Sequence, residues 1–210
     1  MNFAKKFLDR TYMKTLLNTH FRITTLILIG VFLLQVFFSN MPEIGFDFTN
    51  VFSNHEWYGT MTYMFLHGNI RHLAWNVLFL FFLSRVLCEI LSFRVFFLIF
   101  FLSWIGAGIC SRFFDVYYTV GASWALFGLL WFLSVYYSIF WKTLSPTFIL
   151  YWKIYLLFVL FHGINGALKT NIDNFAHIGG FIMGICIGCV YFFITKNPPL
   201  PTDRNQGDMN

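Results

Sequence analysis

The chain has 210 residues, 58% of them apolar and only 11% charged, against roughly 25% charged residues in a soluble domain. With 30 Phe and a mean hydropathy of +0.67, it lacks the groups to cover a water-facing surface. This excludes a soluble globular, a disordered or a fibrous protein and leaves a multi-spanning membrane protein of one domain. Its net charge of +5 resides in basic residues that flank hydrophobic runs and form no aromatic-interleaved patch, so it reports membrane topology and not a nucleic-acid partner.

A bilayer-spanning helix needs about 20 mostly apolar residues. After a basic segment at 1–20, the first such run is 21–39. Its long basic leader and the lack of a small-x-small cleavage site predict a retained span, not a signal peptide. A polar, aromatic stretch at 40–60 follows. The next run, 70–86, is entered through His67, Asn69, Arg71 and His72. Further runs at 93–110, 121–141, 147–163 and 175–195 complete six predicted spans in an all-α membrane domain at 21–195. The tail, 196–210, holds Pro198, Pro199 and Pro201 among mostly polar residues and is expected to be disordered.

The positive-inside rule sets an expected orientation. With the N-terminus inside, 11 Lys and Arg fall on the inner side and only Arg71, Arg112 and Lys169 on the outer side. Both termini are then cytoplasmic, and a plasma membrane is the expected location. The four cysteines, Cys88, Cys110, Cys186 and Cys189, lie in or beside apolar runs. Cys186 and Cys189 have no second pair nearby, so they read as packing residues and no metal or cofactor is expected.

Polar groups in a bilayer are costly, so each is a functional-site hypothesis. His67, His72 and Asn76 lie near the start of the second span, Ser123 at the start of the fourth, His177 near that of the sixth, and Glu89 at the end of the second. Even-numbered spans start on the outer side in this orientation. His72, Ser123 and His177 therefore share one depth, about 5–10 Å below the outer interface at 1.5 Å per residue. His72 and Asn76, four apart, share a helix face. A serine hydroxyl needs a base to take its proton, and histidine is the usual one. A second imidazole and an amide can donate to a developing oxyanion.

These residues stand in recognisable strings. The segment His67-Gly-Asn-Ile-Arg-His72-Leu-Ala-Trp-Asn76 resembles the HxxxxHxxxN segment of the rhomboid intramembrane serine proteases. Gly121-Ala122-Ser123 resembles their GxS motif, and Ala176-His177-Ile-Gly-Gly180-Phe-Ile-Met-Gly184 their AHxxGxxxG motif. Glu89 and Glu56-Trp57-Tyr58 match family features at the inner end of the second helix and in the first loop. The resemblance implies a six-helix rhomboid-like bundle with an interfacial first loop. It implies a Ser123–His177 dyad, oxyanion stabilisation by His72, Asn76 and the Ser123 backbone N–H, and no cofactor. It also implies cleavage of single-span membrane proteins near the outer end of their helix, within a lipid bilayer. His67, Gly121, Phe127, Gly180 and Gly184 are supporting residues, with Phe127 an aromatic beside the catalytic imidazole. Gly180, Gly184 and Gly188 repeat every four residues, a face on which helix backbones approach closely.

The sequence also departs from the family pattern. Trp124 follows the nucleophile where the family usually has Gly, and Tyr58 or Gly59 stands where the first loop has Arg. An inactive rhomboid-like protein that binds membrane clients is therefore the alternative. A haem protein with His72 and His177 as axial ligands is a third reading, one that leaves Ser123 and Asn76 without a role. Asp173, four residues before His177, is expected to cap the sixth span, with a third catalytic role as its alternative.

Overall fold

Long runs of Phe, Leu, Ile and Val fold as six α-helices in the computed structural model, which describes residues 18–37, 64–114, 120–144, 146–167 and 173–195. They are α1 (Thr19–Phe37), α2 (Ile70–Ile90), α3 (Phe93–Phe113), α4 (Ser123–Phe140), α5 (Pro146–Ala167) and α6 (Asn174–Ile194). Among the described residues there is no strand, as a chain in hydrocarbon requires: helices satisfy every backbone group internally. Each helix lies within a few residues of its predicted span. α2 runs on past Val86 to Ile90, which puts Glu89 inside its last turn. Residues 1–17 of the basic leader, the first loop with Glu56, Trp57 and Gly59, and the tail at 196–210 lie outside the described residues.

Five of the helices are long and apolar enough to cross a membrane. The remaining one, α5, has 22 residues, about 33 Å of helix against a hydrocarbon core of about 30 Å; its described apolar segment is Phe148–Leu157. Polar caps start three of the helices. Asn69 accepts from the His72 N–H, Ser92 from that of Val95 and Asp173 from that of Ala176. Leu91 and Ser92 alone separate α2 from α3.

α4 is the centre, buried along most of its length from Trp124 to Tyr137, as expected of a helix apolar on all sides. α6 lies against it backbone to backbone. A Cβ on Gly180 would sit 2.2 Å from the Trp124 carbonyl oxygen, and one on Gly184 2.2 Å from that of Gly128. The other side of α6 meets α3 the same way, with a Gly179 Cβ position 2.5 Å from the Gly106 carbonyl. α1 is tied to the C-terminal half of α2 by Asn18, which donates to the Ser84 carbonyl at 2.7 Å. α5 joins the bundle through hydroxyl and indole donors. Tyr155 donates to the Phe82 carbonyl at 2.7 Å, Trp152 to the Ser134 hydroxyl at 3.1 Å, and Tyr137 to the Phe148 carbonyl.

The glycine contacts predict a contrast between two alanine substitutions. Gly184→Ala drives a methyl into helix backbone and should lower the unfolding midpoint in detergent, by roughly 1–3 kcal/mol of stability. Gly30→Ala in α1, where a Cβ meets nothing within 4 Å, should leave it unchanged. Equal midpoints for the two variants would refute this packing.

Candidate active site

The chain enters α4 through Gly121, whose φ of +121° is a region that residues with a Cβ avoid. A side chain is excluded there for a second reason. Its Cβ would lie 2.6 Å from His72 Cε1, 2.9 Å from His72 Nε2 and 3.8 Å from Asn76 Nδ2. The Gly121 turn thus packs directly on the two polar residues that α2 presents. Ser123 follows as the first residue of α4, half-buried, with no side-chain cap on the helix end. The first N–H groups of a helix have no partners within it and carry the positive end of its dipole. An anion beside Ser123 would meet that end.

Ser123 Oγ lies 3.0 Å from His177 Nε2. On the far side of the ring, His177 Nδ1 lies 2.8 Å from the Asp173 carbonyl oxygen. A carbonyl only accepts, so Nδ1 carries the proton and Nε2 keeps its lone pair. The Ser123 hydroxyl is then the donor, the arrangement that proton abstraction needs. Asp173 itself is the helix cap expected of it. Its Oδ1 accepts from the Ala176 N–H at 2.9 Å and its Oδ2 from the Ser111 hydroxyl. Its main chain, not its carboxylate, orients the imidazole.

Two aromatic rings flank His177. Phe127 lies 4.6 Å away between centroids and is tilted by 60°, so it braces the ring without stacking flat on it. Trp124 is buried and meets the imidazole edge-on at 6.3 Å.

The α2 residues form the third wall. His67, fully buried just before the helix, places its Nδ1 3.0 Å from the Phe65 carbonyl and its Nε2 2.8 Å from Asn76 Nδ2. Burial pushes its pKa down to about 3, with the neighbouring His72 adding to the shift, so the ring is neutral. The His67 and His72 rings meet edge to face at 5.0 Å.

His67, His72, Asn76, Gly121, Ser123, Phe127 and His177 are thus brought together, while Gly180 and Gly184 act from the α4–α6 contact. Arg71 is exposed, and the four cysteines are free. Sequence reasoning passed over two participants. Gln35, in the last turns of α1, bonds the His67 main chain, and Ser111, near the end of α3, holds Asp173. The signal for Gln35 was a carboxamide within an apolar span; a serine such as Ser111 gives no comparable signal. Among the described residues no group of three His, Cys, Asp or Glu could hold a metal ion.

The family model for the Rhomboid domain matches residues 54–193. Rhomboid-like protease 3 of Toxoplasma gondii is 31% identical over 151 residues, 70% of this chain and 57% of that protein. RHOMBOID-like protein 2 of Arabidopsis thaliana is 33% identical over 163 residues, 72% of this chain and 48% of that protein. Rhomboid protease GluP of Bacillus subtilis is 34% identical over 133 residues, 61% of this chain and 25% of that protein. The chain spans about half the length of the first two and a quarter of the third. On the strength of the family model and these relatives, the chain belongs to the rhomboid family, as a multi-pass membrane protein.

Proposed function

We propose that this chain is an active intramembrane serine endopeptidase with Ser123 as nucleophile and His177 as base. The observation that carries the reading is the 3.0 Å contact from Ser123 Oγ to an imidazole nitrogen whose partner nitrogen is committed to a carbonyl. His177 Nε2 takes the hydroxyl proton as Ser123 Oγ attacks a peptide carbonyl. The oxyanion forms at the N-terminus of α4, where the Ser123 N–H, the Asn76 carboxamide and the His72 imidazole surround it. His177 then gives the proton to the leaving amine, and water admitted from the outer face hydrolyses the acyl-enzyme by the same proton transfers. No carboxylate is needed, because the Asp173 carbonyl already sets the tautomer that a triad aspartate would set.

The substrates of this reading are single-span membrane proteins, cut near the outer end of their helix at small residues. A helix must unwind locally before its carbonyl is open to attack, since its backbone groups are otherwise bonded. The enzyme sits in a plasma membrane with both termini cytoplasmic, supported by the excess of Lys and Arg on the inner loops. Against a haem protein stands the Ser123–His177 contact, which that reading leaves without a role.

The decisive assay uses the purified protein and a model single-span substrate. Ser123→Ala and His177→Ala should each abolish cleavage, and the double variant should be no worse, because the pair acts as a unit. Cleavage surviving in either single variant would refute the assignment. Asp173→Asn should keep most activity, since both its capping oxygen and its main-chain carbonyl remain. A fall of about 10⁴-fold would instead make the carboxylate a catalytic member. Trp124→Gly should remove a buried indole and cost stability, about 3–5 kcal/mol, without raising activity. A silent wild type beside an active Trp124→Gly would favour the inactive, client-binding reading.

A further inference from the structure

Gln35 is a carboxamide among leucine, isoleucine, valine and phenylalanine in the last turns of α1. In hydrocarbon such a group is costly unless both its ends are bonded. Both are bonded, and to the same residue. Gln35 Nε2 donates to the His67 carbonyl at 2.9 Å, and Gln35 Oε1 accepts from the His67 N–H at 3.1 Å. His67 precedes α2 and lies outside its ladder of backbone bonds, so its main chain needs partners from elsewhere. One side chain from α1 supplies both.

The consequence runs on through the His67 ring. Nδ1 faces the Phe65 carbonyl and therefore carries the proton, which leaves Nε2 an acceptor. The Asn76 atom 2.8 Å from it must then be the NH₂ nitrogen. This fixes which way the Asn76 carboxamide is turned. The two hydrogens of a planar NH₂ diverge by a fixed angle, so engaging one sets the direction of the other. That nitrogen lies 3.8 Å from where a Gly121 Cβ would stand, two residues from the nucleophile.

We propose that Gln35 is a positioning residue for the oxyanion site, acting from α1 through the His67 main chain and imidazole on the Asn76 carboxamide. The inference rests on the protease reading above. It assigns α1, which supplies no residue of the dyad, a share in rate. A residue that merely glued α1 to the bundle would affect stability and leave the chemical step alone.

A double-mutant cycle on the full chain separates these roles, with kcat and KM measured on a single-span substrate and the unfolding midpoint recorded for each variant. Gln35→Met keeps the length of the side chain and removes both hydrogen bonds. It should lower kcat by about 10–100-fold, the scale of a small misplacement in an active site, with KM within about twofold. Gln35→Glu keeps the acceptor for the His67 N–H and loses the donor, so its loss should be intermediate; it also carries the cycle if Gln35→Met does not fold. In an Asn76→Ala background either change should lower kcat no further, because the group being positioned is gone. A kcat within twofold of wild type, or losses that multiply in the double variant, would overturn the inference and leave the dyad untouched. A wild type that cleaves no substrate would overturn the protease reading and this inference with it.

Discussion

The site depends on how closely α6 approaches α4. Ser123 and His177 are 54 residues apart and belong to different helices. Helices with ordinary side chains between them pack 8–10 Å axis to axis, and the reach of a serine is short. The glycines at 180 and 184 remove the intervening side chains, so that the α6 backbone rests on the Trp124 and Gly128 carbonyls. In lipid, where apolar surface alone does not drive helices together, such close packing is also what holds the pair in contact. The residues that bring Ser123 and His177 together are therefore the ones that hold the bundle at its centre.

A second constraint is the scarcity of charge. A buried carboxylate beside an imidazole would bring a desolvation cost that the membrane makes larger. The chain orients His177 and His67 with main-chain carbonyls instead, His177 with that of Asp173 and His67 with that of Phe65. Each carbonyl sets a tautomer without introducing a charge. Among the described residues, the carboxylate close by is that of Asp173, used at a helix start, where the Ala176 N–H and the Ser111 hydroxyl satisfy it.

Much of this was legible in the sequence. The spans follow from composition and run length, and the convergence of His72, Asn76, Ser123 and His177 from counting residues below one interface. The Gly180–Gly184–Gly188 spacing forecast the close α6 face, and the caps at Asn69 and Asp173 are written in residue type. What escaped has a common cause. Main-chain acceptors have no residue identity, so the carbonyls that orient His177 and His67 left no trace in the letters. Gln35 and Ser111 act on such main-chain or capping groups across long sequence separations, and only the assembled bundle shows what they reach. Trp124 was readable as a departure in size, but not as a ring that tucks into the core beside His177.

The central claim is that Ser123 is a nucleophile activated by His177, and covalent trapping tests it without knowledge of any natural substrate. A fluorophosphonate reacts with an activated serine, expelling fluoride and leaving a phosphonate ester on Oγ. Intact-mass and peptide analysis of the folded protein in detergent should find one adduct, on Ser123, absent from Ser123→Ala and from His177→Ala. A folded wild type that takes up no label, or label that persists in His177→Ala, would contradict the account.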